Sequence, residues 1–327
     1  MTSVVKYSKT SNSDFAGKFE QRLCSKWNEA MKAGLFLYQV DDIETKVLNG
    51  KYKFTISLNT GRFNKRCNLQ KFSKVHQVPS PSDFNFTKVS SNEVLFDIIN
   101  AENPNLNGRV LINISPTLLY NSLIVPNVES RSPQMITYNG LLLVIDVLMM
   151  NSKGKIFFSS MCGYASVNHE HYHLYLDDKV NYLQKAELKL LKGYCYEIVD
   201  YPARGFVFVM DKKIYTEVLK DVTILVDHLV KRNIPHNIAG MHNRTSADAA
   251  IRLVVWARKS SLEIKEELSF CPSSFELSGH LINVKSKDAF NEISEEYIND
   301  ALKEVTDGYY NEIRHFILHH PSVISKF

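Results

Sequence analysis

Ala165-Ser166-Val167-Asn168-His169-Glu170-His171-Tyr172-His173-Leu174 is the most informative run in the chain. Three histidines alternate with Glu170 and Tyr172. On a strand, alternate residues share a face, about 6.6 Å apart at a rise of ~3.3 Å per residue. The run therefore predicts a strand over 167–176 with His169, His171 and His173 on one side. Three imidazoles on one face are unfavourable unless they have partners, and imidazole is the side chain best suited to proton transfer near neutral pH. Two chemistries compete. Three histidines can hold zinc with an open fourth position. The outer two, however, sit about 13 Å apart at the backbone, awkward for one ion with ~2.0 Å Zn–N bonds. In the other chemistry a neutral imidazole attacks phosphorus, and its neighbours orient it and protonate the leaving group. The spacing fits this second chemistry better.

Working outward, composition narrows the class. Apolar residues make up 44% and charged residues 23% of 327, ordinary for a globular α/β or α+β chain and unlike a fibrous or disordered one. The longest apolar candidate for a membrane span, Gly140–Met150, contains Asp146 and is far short of the roughly 20 residues a span needs, so it reads as a buried helix. The polar stretch 1–14 lacks the apolar core of a secretory signal and reads as a frayed leader. Cys24, Cys67, Cys162, Cys195 and Cys271 are odd in number and widely spaced, which suits reduced thiols in the cytoplasm. From Lys46 to Ser82 the chain carries eight Lys or Arg and no Asp or Glu, a stretch suited to an anionic partner such as a phosphate or to a solvated basic face. The net charge of +4 is modest and no nucleic-acid motif is present, so nucleic acid is not the expected partner.

The periodicity predicts a helix over 15–35, where Phe15, Phe19, Leu23, Trp27 and Met31 recur at i, i+4. Strands are predicted at 50–58, 94–99, 109–115, 123–126, 156–160 and 167–176, with a helix at 140–150. The second half repeats the theme: strands at 205–210, 237–241 and 251–257, a helix at 215–231, and a helical tail from an N-cap at Ser294 to His320 with a possible interruption at Gly308. The recurrence points to an internal duplication and an α+β fold of mainly antiparallel sheets flanked by helices. We divide the chain into a leader (1–14), a catalytic half (15–200) and a degenerate second half with a helical tail (201–327).

The His-x-His-x-His run resembles the signature of the histidine-triad superfamily, and further segments resemble its GDP-hexose phosphorylase branch. These are Leu58-Asn59-Thr60-Gly61-Arg62 with Lys65-Arg66, Phe84–Lys88 with Glu93–Phe96, Ile112–Pro116 with Ser122–Pro126 and Pro133-Gln134, Tyr201–Gly205, Pro235-His236-Asn237, Trp256–Ser261 and Glu276–His280. The resemblance spans roughly residues 15 to 290. It implies two duplicated histidine-triad-like units, and phosphorolysis of GDP-hexose by inorganic phosphate to GDP and hexose 1-phosphate. It implies His171 as the nucleophile, His169 as its orienting neighbour and His173 beside the phosphates and leaving group. Ser166, Asn168, Asn113, Ser115, Arg62, Lys65 and Arg66 become candidate substrate contacts. No metal or other cofactor and no membrane are implied; the oligomeric state is not. Trp256, His236 and His280 read as core residues. The chain departs from the family pattern at Tyr120-Asn121, where Gly-His is usual, at Ser159, where Asn is usual, and at Glu170, where the family is apolar. A catalytically weak relative that binds a guanine nucleotide or a protein partner, or a related nucleotidyl hydrolase or transferase, is therefore the alternative reading.

Overall fold

The computed structural model describes residues 3–8, 12–40, 43–59, 61–62, 72–245 and 250–321. Lys65 and Arg66 lie outside them. Among these residues the strands of the first half are β1 (Val4–Tyr7), β2 (Glu44–Val47), β3 (Thr55–Leu58), β4 (Val94–Asn100), β5 (Asn107–Ile112), β6 (Ser122–Pro126), β7 (Gly154–Ser159) and β8 (Tyr172–Leu176). The second half adds β9 (Leu188–Lys192), β10 (Cys195–Ile198), β11 (Phe206–Met210), β12 (His236–His242), β13 (Ile251–Ala257) and β14 (Ile282–Val284). The helices are α1 (Asn12–Lys32), α2 (Tyr138–Met150), α3 (Tyr215–Lys231), α4 (Ser274–Leu277), α5 (Lys287–Glu292) and α6 (Glu295–His319).

An eleven-stranded sheet runs in the order β1-β4-β5-β6-β8-β7-β12-β13-β11-β10-β9, and β14-β3-β2 form a smaller sheet. The duplication is explicit in this order. In the first unit three strands, helix α2 and two strands give β4-β5-β6-β8-β7; in the second, three strands, α3 and two strands give β9-β10-β11-β13-β12. The units join through the antiparallel pair β7–β12, with Ser159 opposite Asn237. The β1–β4 pair is parallel; the other pairs in the large sheet are antiparallel.

Period-two alternation feeds two cores. Ile156, Phe158, Tyr172, Leu174, Phe206 and Phe208 point to α1, α2 and α3. Phe157, Tyr175, Val207, Val254 and Trp256 point to the opposite face, under the small sheet and the start of α6. Helix α6 wraps the edge, giving Ile298, Leu302 and Val305 to the second core and Tyr310, Ile313 and Ile317 to the first. Trp256, His236 and His280 are buried core residues.

Three expectations are corrected. The leader does not fray throughout: Val5 and Tyr7 are buried in β1, and the Tyr7 hydroxyl donates to Asp146 Oδ2 at 3.1 Å, tying this strand to α2. Gly308 does not interrupt α6, because its neighbours on the helix pack on both cores and override a weak local propensity. The triad strand is shorter than expected: the β7–β8 ladder stops at Phe157 opposite His173, so His169 and His171 lie on the approach to β8. Basic residues of the 46–82 stretch divide. Lys46, Lys51 and Lys53 bond to Asn291, Asp200 and Asn49 on the surface, whereas Arg62 reaches the carbonyl of Ser115.

At Gly205 an added Cβ would lie 2.6 Å from Trp256 Cδ1 and 2.9 Å from the Val255 carbonyl. A rigid indole and a strand carbonyl cannot both retreat. Gly205→Ala should therefore destabilise the protein by about 1–3 kcal/mol, the usual cost of overpacking. A urea midpoint unchanged from wild type would show that this contact has slack.

Candidate active site

The site begins where β7 and β8 part. Beyond Phe157–His173 the strands are bridged by a side chain instead of by backbone pairs. Gln134 Nε2 donates to the carbonyls of Ser159 (2.9 Å) and His171 (3.3 Å), and its Oε1 accepts the His171 N–H at 2.9 Å. Gln134 is itself placed by its backbone N–H, which donates to Asn168 Oδ1 at 3.0 Å, while Asn168 Nδ2 donates to the Gln77 carbonyl. A buried amide thus satisfies backbone groups that the sheet leaves unpaired.

His171 Nδ1 lies 2.8 Å from the His169 carbonyl oxygen. A carbonyl can only accept, so Nδ1 carries the hydrogen and Nε2 carries the lone pair. His169 has the opposite arrangement: its Nδ1 accepts the Phe86 N–H at 3.1 Å. The Phe86 ring packs against both imidazoles, 5.5 Å from His169 and 5.0 Å from His171. His173 lies 5.7 Å from His171 and meets the edge of Phe275 at 5.3 Å. All three histidines are therefore gathered at one place. Burial lowers the His171 pKa to about 4, and burial, aided by His171 and Arg131, lowers that of His169 to about 4. Both are neutral at physiological pH, the protonation state a nucleophile needs.

Glu170 points to the other face, as alternation requires. It sits at the start of α2, accepting from Thr137 N (3.0 Å), Thr137 Oγ1 (2.9 Å) and the Tyr172 hydroxyl (2.9 Å). Thr137 caps the same helix through the Gly140 N–H. Burial nevertheless pushes the Glu170 carboxyl up to about 7, against the lowering effect of these bonds. The carboxyl occupies a position where an apolar residue would pack because it finds three donors and a helix N-terminus there.

The other expected contacts scatter in role. Ser166 is exposed in the turn before the triad. Asn113 and Ser115 shape the turn after β5: Asn113 Oδ1 accepts the Ser115 N–H, and Asn113 Nδ2 donates to Asn121 Oδ1 at 2.7 Å. Asn121, fully buried, thereby holds this turn and also faces Thr117. Arg62 caps the turn through Ser115 O. Sequence reasoning missed Gln134, Asn237 and Arg258 as site residues, although each falls in or beside a segment that resembles the family. Ser159, noted only as a departure, lies on the face of His173, one strand away. Among the described residues no group of three His, Cys, Asp or Glu side chains is arranged to hold a metal ion.

A large antiparallel sheet built of two units, with a neutral imidazole at the head of one central strand, is the fold of a nucleotidyl-transfer phosphorylase. The chain superposes on the yeast Ap4A phosphorylase Apa2 in complex with AMP with a TM-score of 0.62, covering 88% of this chain and 95% of that one; at 15% identity the likeness is one of fold. The family models described as "GDPGP1-like, N-terminal domain" and "GDPGP1-like, C-terminal domain" match residues 18–175 and 180–320, and the chain belongs to this family. It is similar to GDP-D-glucose phosphorylase 1 of Danio rerio (32% identity, 88% of this chain, 86% of that one) and of Homo sapiens (31%, 85% and 76%). GDP-L-galactose phosphorylase 1 of Arabidopsis thaliana is 29% identical over 88% of this chain and 70% of its own length.

Burial of neutral imidazoles makes stability depend on pH. Burial depresses His169, His171 and His236 to about 4 and His280 to about 3. A group depressed below its unfolded value near 6.5 contributes stability present above that value and lost as pH falls toward the folded one. Glu170, raised to about 7, acts oppositely between about 4.5 and 7. Four groups outweigh one, so the urea midpoint should fall steadily from pH 6.5 to pH 4. His236→Phe should flatten the slope by up to about 1.4 kcal/mol per pH unit, the effect of one proton. A midpoint independent of pH across this window would contradict the burial of neutral rings.

Proposed function

We propose that the chain is a nucleotidyltransferase that cleaves GDP-D-glucose with inorganic phosphate, giving GDP and glucose 1-phosphate. The observation that carries this reading is the tautomer of His171, whose Nδ1–H is held by the His169 carbonyl so that Nε2 keeps its lone pair. Membership of the GDPGP1-like family and the similarity to enzymes named for GDP-hexoses supply the substrate class. The Danio rerio and Homo sapiens relatives, at 32% and 31% identity over 86% and 76% of their own length against 29% and 70% for the Arabidopsis thaliana relative, favour glucose over galactose.

In this reading Nε2 of His171 attacks the guanylyl phosphorus, the P–O bond to the sugar phosphate breaks, and glucose 1-phosphate leaves. An oxygen of inorganic phosphate then attacks the same phosphorus, the P–N bond breaks, and GDP departs with neutral His171 restored. Positive charge developing on the ring is stabilised through Nδ1–H and the His169 carbonyl, already in place before reaction. His173 stands beside the nucleophile, where it can exchange a proton with the leaving or entering phosphate. Arg62, Lys65 and Arg66 are assigned to the phosphates as cationic contacts, with Ser166, Asn168, Asn113 and Ser115 around them. The first half carries the chemistry, and no metal or cofactor takes part. A weakened relative is not favoured, because the nucleophile, its carbonyl partner and its Gln134 brace are all present. No helix among the described residues is long and apolar enough to cross a membrane; we place the protein in the cytoplasm.

Incubation with GDP-glucose separates the readings. With phosphate we expect GDP and glucose 1-phosphate; hydrolysis would give GMP whether or not phosphate is added, and a binding-only protein would give neither. His171→Ala should lower turnover on the order of 10³-fold or more while leaving the fold intact. A variant that keeps a tenth of wild-type phosphorolysis removes His171 from the nucleophile's role.

A further inference from the structure

The junction between the two units holds a polar chain that the mechanism above does not use. Ser159 ends β7 and faces Asn237 across the β7–β12 pair. Asn237 Nδ2 donates to Ser159 Oγ at 2.8 Å and to the Gly163 carbonyl at 2.9 Å. Asn237 Oδ1 accepts from Arg258 Nη1 at 3.0 Å. Arg258 follows β13, is 0% exposed, and also donates to the carbonyls of Lys259 and Pro272, with its guanidinium 4.9 Å from the Tyr164 ring. Burying a guanidinium against carbonyl oxygens is unfavourable unless the arrangement serves something.

Its effect is to fix the direction of a hydrogen bond. A guanidinium can only donate, so Arg258 forces the oxygen of the Asn237 amide toward itself and the NH₂ toward Ser159. Ser159 Oγ must then accept from Asn237, and its own hydrogen is directed elsewhere. Among the described residues the remaining hydrogen-bonding neighbour is Ser274 Oγ, at a long 3.4 Å. The hydroxyl is thus a donor with only a weak internal acceptor. It stands on the same face as His173, because Phe157 is opposite His173 and Ser159 is two residues further along β7. Its carbonyl and that of His171 share the Gln134 amide, so the donor and the nucleophile are braced by one side chain.

We propose that the Ser159 hydroxyl donates a hydrogen bond to a non-bridging oxygen of the phosphoryl group transferred to and from His171, and that Asn237 and Arg258 of the second unit are positioning residues that set its donor direction. This rests on the phosphorolysis reading above. The second unit, which bears no triad, then serves the reaction of the first through the sheet that joins them. No bond is made or broken by these residues; they hold a proton where negative charge is concentrated.

The test is a double-mutant cycle on steady-state phosphorolysis of GDP-glucose by the full chain, using Ser159→Ala, Arg258→Lys and both together. A lost hydrogen bond to a charged group in the transition state corresponds to roughly 10- to 150-fold in rate, so Ser159→Ala should lower kcat by that order with KM for GDP-glucose within about threefold. Arg258→Lys should lower kcat as well. In the Ser159→Ala background it should have no further effect, because it acts through the missing hydroxyl. Asn237→Ala, which leaves Arg258 its two carbonyl partners, provides the same cycle without altering the buried cation should Arg258→Lys fail to fold. Additive losses would make the chain merely structural and overturn the proposal, as would a Ser159→Ala enzyme within twofold of wild type. A wild-type protein that does not phosphorolyse GDP-glucose would instead defeat the functional reading on which the proposal stands.

Discussion

One hydrogen bond, from Nδ1 of His171 to the carbonyl of His169, sets the chemical identity of the site, and much of the surrounding structure exists to hold it. The ring bonds to a backbone carbonyl two residues back, and both residues lie where the chain has left the β7–β8 ladder, just before β8. Leaving the ladder strands backbone groups on both β7 and β8, and these would be buried without partners. Gln134 resolves this, with its one amide serving three backbone groups. Asn168 then orients Gln134, and Gln77 takes the other end of Asn168. The chain of dependence runs from an extended segment at 77 through the triad turn to His171, and each link is a directional bond between buried or half-buried groups.

The same constraint explains why the helix side of the sheet is polar at one point. A residue between two histidines that face one way must face the other, into the contact with α2. Glu170 there meets the helix start rather than its middle, and takes up the Thr137 N–H and hydroxyl together with the Tyr172 phenol. Burial and hydrogen bonding pull its ionisation in opposite directions, and burial prevails. Gly140, whose Cβ would lie 2.2 Å from Glu170 Oε1, leaves the room that the carboxyl occupies.

Legibility in the sequence followed the range of each interaction. The helix at 215–231 and the strand at 251–257 were readable to the residue, because their patterns are long and their burial is one-sided or complete. The short strands β9, β10 and β14 and the helices α4 and α5 were not, since three to six residues give no period to count and their placement depends on distant partners. The leader was misjudged for a related reason: Val5 and Tyr7 mean little until β4 is beside them. In the site, the histidines announced themselves through spacing and chemistry. Gln134, Asn237 and Arg258 lie in segments that resemble the family but carry no chemical signal of their own, being single polar residues whose importance comes from whom they meet. The departure at Asn121 could be seen in sequence, but not its consequence, a buried carboxamide that ties Asn113 and Thr117 into one turn.

The electrostatics of the site follow from its neutrality. Two of its imidazoles are held uncharged by burial, so they cannot attract a diphosphate; that attraction must come from cations, and we assign it to Arg62, half-buried and anchored to the Ser115 carbonyl. Separating attraction from attack has a chemical advantage. A charged nucleophile would bind the anion in its ground state and lose its lone pair in doing so. A neutral one gains charge only as the P–N bond forms, and the fixed His169 carbonyl is then worth more than it was before. The low dielectric that depresses the histidine pKa is the same one that strengthens this late interaction. The burial that weakens these rings as bases is therefore consistent with their use as nucleophile and orienting partner.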